Sequence, residues 1–260
     1  MLALDILRHS LLVVVLVCGC GSSPGPLEDA GADAGAHDAL VSLDAGRDGG
    51  SDGGSDAGSD AGNDGGSDAS TCTTTLLTGG ADVAAQGWTV VMQAPATLTY
   101  GADYVELSTS TTTGATTSGQ LLLSHPGALT AGAPFRLRVE MLVQRVDVHN
   151  PLDSAAAILG SFTAPAGTGA ERAEMLYLDA AAMGWGDNAQ SFAASITDGA
   201  YHTYEIAVDA ASVAHVSIDG APALMRSGFA SNGTIAIGDQ TNDPHVDATL
   251  RIRSVTLLCP

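Results

Sequence analysis

From Asp44 onward an aspartate returns at every fourth position, through Asp48, Asp52, Asp56, Asp60 and Asp64 to Asp68. Glycine, alanine, serine and asparagine fill the gaps, as in Asp52-Gly53-Gly54-Ser55. A period of four could mark one face of a helix. However, each interior glycine costs ~1 kcal/mol relative to alanine, and like charges four residues apart repel. Residues 21–71 hold almost no large apolar side chain, so they have no core to bury. The pattern predicts a disordered, solvated tether over residues 20–71. Calcium-binding β-rolls use a nine-residue period with an apolar position in each unit. EF-hand loops place oxygens at alternate positions and close with Glu. Neither pattern is present. A glycine-rich coil of ~50 residues has an r.m.s. span of roughly 40 Å, and its charge extends it. The tether's role is spacing.

The whole chain carries 29 acids against nine bases, a formal charge of -20, and every base is arginine. Phosphate binding needs clustered Lys/Arg, so this balance argues against a nucleic-acid partner. Upstream of the tether, Arg8 and His9 precede an apolar run, Leu11–Val17. That run is too short for a membrane-spanning helix, which needs ~20 residues, and fits the h-region of a signal peptide. It ends in Val17-Cys18-Gly19-Cys20-Gly21, which resembles the lipobox of bacterial lipoproteins. Asp5 departs from the usual basic n-region. The resemblance implies removal of residues 1–19, acylation of Cys20 and a membrane partner through the lipid anchor. Gly21 after the cysteine implies the outer membrane of a Gram-negative cell envelope. An ordinary secretory signal with incidental cysteines is the alternative.

Composition changes at Thr71-Cys72, and the remaining stretch of about 190 residues is long enough to bury about 70% of its unfolded surface. Aromatic residues make up only 4% of the chain, so its core must rest on Val, Ile, Leu and Ala. Short strand-like runs recur: Trp88–Met92, Tyr104–Ser108, Gln120–Ser124, Ala155–Phe162, Glu174–Asp179, Ser191–Ile196, His202–Val208, Ala214–Ile218, Thr234–Gly238 and Thr249–Leu258. The longest alternation puts Phe135, Leu137, Val139 and Met141 on one face and Arg136, Arg138 and Glu140 on the other. Period two is a half-buried antiparallel strand. Imperfect alternation around Arg251 and Arg253 points to a bulge. Asp198-Gly199 and Asp219-Gly220 read as hairpin turns. Helical composition in Ala170–Met183 competes with a strand at Met175–Leu178; the strand is preferred. The fold class is all-β, a two-sheet sandwich or barrel.

Four pieces in order resemble concanavalin A-like (laminin G-like) jelly rolls. They are Asp198–Ile206 with its aromatic-His pair, Ala214–Gly220 ending in Asp-Gly, Thr234–Asp239 ending in Gly-Asp, and the terminal strand Ala248–Leu258. The resemblance spans about 60 residues and implies two antiparallel sheets with first and last strands side by side. With Cys18 lost in the signal and Cys20 acylated, Cys72 and Cys259 remain, one at each end of the domain. In an oxidising compartment a Cys72–Cys259 disulfide is expected, with two free thiols as the alternative.

The glucanases of that family carry a Glu-x-Asp-x-(x)-Glu strand whose carboxylates flank the scissile bond. No such strand occurs here. Glu171 and Glu174 have the wrong spacing, and Asp147, Asp153 and Asp179 stand alone in sequence. No nucleophile elbow, zinc motif or phosphate loop is present. His202 reads as a packed structural histidine, and Trp88 as core. In Met183–Asn188, Trp185 between glycines and beside Asp187 and Asn188 suits sugar stacking, with Tyr177 close by in sequence. A core tryptophan at a hairpin end is the alternative. Asp239, Asn242, Asp243 and Asp247 offer hard oxygens to a structural Ca²⁺, or form a polar turn. The expected function is a non-catalytic binding module for extracellular carbohydrate, a polysaccharide or cell-surface glycan. A glycoside hydrolase or lyase with an atypical site, and a structural or adhesion lipoprotein with a protein partner, are the alternatives.

Overall fold

The computed structural model describes residues 72–110, 119–150, 153–163, 173–241, 243 and 245–260. The signal segment, Cys20 and the tether lie outside the described residues. The alternation at Phe135 continues further than the sequence pattern suggests, giving a twelve-residue strand, β6 (Phe135–Val146). Its apolar face enters the core, with Leu137, Met141 and Val143 at 0% exposure.

One antiparallel sheet runs, edge to edge, β13 (Ala221–Ser227), β12 (Val213–Ile218), β11 (His202–Val208), β6, β15 (Ala248–Leu258), β4 (Val105–Ser108) and β3 (Thr97–Tyr100). An eighth strand, β1 (Thr74–Thr78), pairs with the second half of β15, while β4 pairs with the first half. First and last strands therefore lie side by side. Register shifts at Thr249/Leu250 and Ile252/Ser254 are the bulges behind the imperfect alternation of β15. The other sheet runs β10 (Ser191–Ala193), β9 (Ala182–Trp185), β8 (Leu176–Leu178), β7 (Ala157–Leu159), β14 (Ile235–Asp239), β5 (Leu121–His125) and β2 (Thr89–Met92). The architecture is a two-sheet antiparallel sandwich of jelly-roll type. Among the described residues, no helix is long and apolar enough to cross a membrane.

Alternation sorts the side chains of both sheets. Leu121, Leu123, Ile235 and Ile237 join the main core between the sheets. Their strand neighbours Leu122 and Ala236 join Leu159, Phe162, Met175 and Tyr177 in a smaller cluster on the other face of the seven-stranded sheet. Apolar residues on both faces make these strands read as continuous runs. The eight-stranded sheet instead turns a charged ladder outward. Arg136 and Arg138 share Glu205 across strands, Arg253 pairs with Glu140, and Arg251 with Glu106. Exposed pairs of this kind contribute about 0–1 kcal/mol each. Trp88 is core, its Nε1 donating to the Leu76 carbonyl at 2.8 Å. Cys72 and Cys259 form a disulfide with Cα atoms 5.4 Å apart, joining the two ends of the domain.

The two Asp-Gly turns differ. Asp219 and Gly220 both have positive φ (52° and 79°) and close the β12–β13 hairpin, as a type I′ turn requires. Asp198-Gly199 closes no hairpin: it connects β10 of one sheet to β11 of the other. Local turn chemistry specifies a reversal but not which sheet the next strand enters. In the described part of the Ala170–Met183 segment, the strand preferred at Met175–Leu178 is present as β8, followed by the start of β9.

Candidate functional site

The Met183–Asn188 segment forms the end of β9 and the turn into β10. Alternation along β9 sends Met183 and Trp185 inward and leaves Gly184 on the outer face. Trp185 is 1% exposed, with its ring centroid 6.1 Å from that of Phe229. The open stacking platform expected of Trp185 is therefore replaced by a core residue. Strand periodicity, fixed by pairing with β8, decides this.

Past Trp185 the chain turns outward. Asn188 adopts a left-handed φ of 58°, and its N–H donates to the Trp185 carbonyl at 2.7 Å. Asp187 meets Arg226 of β13 in a bidentate pair, Nη1 to Oδ1 at 3.1 Å and Nη2 to Oδ2 at 2.8 Å. The hydrogen bond from Arg226 holds the Asp187 carboxyl below its ordinary range, and Asp187 in turn raises Arg226. The guanidinium lies 5.7 Å from the Trp185 ring centroid. Beside this pair is a cavity of about 510 Å³ lined by Trp185, Ala189, Gln190, Met225, Arg226 and Ser227. Its size falls in the ~300–1,000 Å³ range of ligand pockets. Gln190 Oε1 accepts from the Met225 N–H at 2.9 Å. The Gln190 amide nitrogen then faces no hydrogen-bond acceptor among the described residues. The Met225 side chain is largely open, the residue being 60% exposed.

Tyr177 and Asn188 lie elsewhere. Tyr177 is 3% exposed on the other face of the sheet, opposite Gly184, where an added Cβ would come 2.5 Å from the tyrosine oxygen. The His149 ring stacks on it with centroids 3.5 Å apart. Asp179 Oδ1 accepts the His149 backbone N–H at 2.9 Å, and Asp179 Oδ2 faces Nδ1 at 2.8 Å. Asn188 Oδ1 lies 2.9 Å from His149 Nε2. Thus the four residues grouped by sequence divide three ways: Trp185 in the core, Asp187 in the cavity rim, Tyr177 and Asn188 around His149. His149, Gln190 and Arg226 carry no signature in the sequence, because each meets its partners across thirty or more residues of chain. Both ring nitrogens of His149 have hydrogen-bond partners, so the ring is held in place.

The expected cation ligands are partly brought together. Asp239 and Asp247 are both 0% exposed, and Asp153, isolated in sequence, joins them at 0%. Asn242 lies outside the described residues. Among the described residues no three His, Cys, Asp or Glu side chains are arranged to hold a metal ion. Thr241 donates its hydroxyl to Asp153 Oδ2 and its N–H to Asp239 Oδ1 at 2.9 Å. Asp247 Oδ1 accepts from the Thr109 hydroxyl at 3.1 Å, and the Asp243 carboxylate accepts from the Asn150 amide at 2.8 Å. Burial, and then the charge of Asp153, push Asp239 up to about 9, and burial raises Asp153 as well. The second oxygens of both, Asp153 Oδ1 and Asp239 Oδ2, have no other donor. A proton on Asp239 placed between these two oxygens satisfies both.

His202 is packed and hydrogen-bonded, at 9% exposure, with Asp219 on Nδ1 at 2.7 Å and Asp198 on Nε2 at 3.2 Å. Glu171 lies outside the described residues, and Glu174 accepts the Ala230 N–H at 3.1 Å. Among the described residues none that lines the cavity is a carboxylate; Asp187, beside it, has both oxygens occupied by Arg226.

No family model matches the chain, and no curated protein does. Among solved structures, similar folds include a carbohydrate esterase from the Shiga toxin-encoding bacteriophage phi24B, at 15% identity and TM-score 0.49, covering 71% of this chain and 98% of that one. The carbohydrate recognition domain of Emp47p is 14% identical with TM-score 0.45, covering 74% and 99%. A Bacillus licheniformis β-glucanase is 10% identical with TM-score 0.44, covering 72% and 98%. These are remote likenesses; strand order and register define the fold of this chain.

Proposed function

We propose that this chain is a lipid-anchored, non-catalytic module of the cell envelope that binds extracellular carbohydrate in the cavity beside Arg226. The lipobox-like segment ending at Cys20 supplies the outer-membrane anchor, and the aspartate-rich tether the reach. The supporting observation is the lining of the cavity. It combines the locked Arg226, the Gln190 amide and the Ser227 hydroxyl with the open Met225 side chain and the edge of Trp185. Fixed polar groups orient vicinal hydroxyls, and apolar surface takes the face of a sugar ring. Glycoside cleavage needs two carboxyl groups flanking the bond. No carboxylate is among the described residues lining this cavity, and Asp187 beside it is neutralised by Arg226, so on this reading the sugar is bound uncut.

Glycan-array binding by the full chain, compared with two variants, tests the reading. Arg226→Ala should weaken binding at least about tenfold with little change in melting temperature. Trp185→Ala should instead destabilise the domain by about 3–5 kcal/mol, because it empties a core site. Unchanged glycan binding by Arg226→Ala would sink the site. Release of reducing sugar by the wild-type protein would overturn the non-catalytic reading.

A further inference from the structure

The cavity beside Arg226 does not end at Met225. A second cavity, of about 280 Å³, continues along β13 and is lined by His215, Pro222, Ala223 and Leu224, among others. Gln190 and Met225 belong to both cavities. The two hollows therefore form one furrow along the edge strand β13, divided by the Met225 side chain. From Pro222 to Ser227 the strand advances five residues, about 17 Å at the rise of an extended chain. That is longer than a single sugar ring.

The charges along the furrow narrow the ligand further. Arg226 is neutralised by Asp187. Glu174 is close enough to add to the electrostatic pull on Arg226. Among the described residues lining the second cavity the only ionisable side chain is His215, whose Nε2 lies 3.8 Å from Asp209 Oδ2. Each basic side chain described along the furrow thus has an acid beside it. Residues 72–260 as a whole hold seventeen acids and seven arginines, so the surrounding field repels anions. The donors left over are neutral or already balanced: the Gln190 amide and the Ser227 hydroxyl. Hydroxyl oxygens suit such donors. Carboxylates and sulfates would require an unpaired cation.

We propose that the furrow along β13 is a two-subsite groove for a linear, uncharged polysaccharide, with Met225 lying under the chain where it passes between the cavities. This rests on the carbohydrate-binding reading and deepens it by naming chain length and charge. It places recognition on the sandwich edge, where β10 and β13 approach, and gives roles to Gln190, His215 and Met225.

Calorimetric titration of the full chain with two ladders of oligosaccharides tests it. One ladder is neutral, β-linked gluco-oligosaccharides and manno-oligosaccharides of increasing length. The other is uronic-acid oligomers of matched lengths. Affinity for the neutral ladder should rise by about tenfold or more with length, and uronate oligomers should bind more weakly at each length. Ala223→Trp, which fills the second cavity, should reduce the affinity of long neutral chains to that of short ones. Length-independent binding that Arg226→Ala still abolishes would overturn the groove while keeping the first cavity as a glycan site. Tighter binding of the uronate ladder would overturn the charge assignment. Absence of binding by both ladders, with a normally melting protein, would overturn the groove and the carbohydrate reading together.

Discussion

Two groups of acids in this domain have opposite electrostatic solutions. At one, His202 stands between Asp198 and Asp219 with each ring nitrogen facing a carboxylate. Carboxylates only accept, so both nitrogens carry protons and the ring is an imidazolium. At the other, Asp153, Asp239 and Asp247 are fully buried with no basic side chain among their hydrogen-bond partners. Burial opposes charge on His202, yet the hydrogen bonds to Asp219 and Asp198 outweigh it and raise the ring above its ordinary value. Burial also opposes charge on Asp219, but the Thr203 N–H and His202 hold it below the carboxylate range. Asp198, lowered first by the Ala200 N–H, is exposed. In the group without a basic partner, burial and then the charge of Asp153 outweigh the Thr241 N–H, and Asp239 is pushed up to about 9. The comparison shows that the partner, more than depth alone, sets the direction of the shift.

The largest test removes the shared proton's seat. Asp239→Leu leaves the Thr241 N–H and Asp153 Oδ1 without partners. At about 1–3 kcal/mol per orphaned buried group, the variant should unfold at clearly lower urea concentration. An unchanged midpoint would show that these oxygens are not coupled. Asp239→Asn sharpens the contrast, since it keeps a donor and an acceptor but cannot ionise. Wild-type Asp239 is protonated in the fold and ionised in the unfolded chain over the interval from about 4 to about 9. Its contribution should therefore be fully present below pH 4 and lost progressively as pH rises to 9. The Asn variant should lose that slope, and thermal melts at pH 5 and pH 8 check it.

His202→Gln gives a smaller change, about 1 kcal/mol, because the facing carboxylates are partly in water. The raised His202 contributes stability that is complete below pH 6.5 and lost as pH rises through its folded value. Asp198 and Asp219, lowered in the fold, contribute stability above pH 3.8 that is lost as pH falls through their folded values. The histidine group should therefore weaken at both extremes, and the Asp153–Asp239 pair only toward alkali. Melting curves of wild type and His202→Gln at pH 3, 5 and 8 should converge at pH 3 and differ most at pH 5. A constant difference at all three would remove the imidazolium assignment.

Most of the strands were legible because period two survives without knowledge of the partner. Phe135–Met141 and His202–Val208 alternate cleanly, and both are half-buried strands. Four strands were not legible. In β3, Thr97–Tyr100, no residue is buried, so an edge strand shows no apolar stripe. In β13, Pro222 interrupts the pattern, as an edge position permits. In β9, Gly184 replaces the outward side chain because Tyr177 occupies its space. β1 has only two buried residues, Leu76 and Leu77, beside a register shift in its pairing with β15. The candidate site was less legible still. Asp187 stood out in sequence; Arg226 and Gln190 did not, since a surface arginine or glutamine has no signature until its partner is beside it.

The sequence by itself determined the alternation of the strands and the absence of a paired-carboxylate strand. Each follows from local composition or spacing, which needs no distant residue. Only the tertiary structure decided that Trp185 is core, that Asp187 and Asn188 serve different faces, and that Asp153 joins Asp239. A strand's neighbours fix its register, and register fixes which face each side chain takes. Burial then sets whether a carboxylate is charged, because the cost of desolvation depends on what else has been brought to the same place.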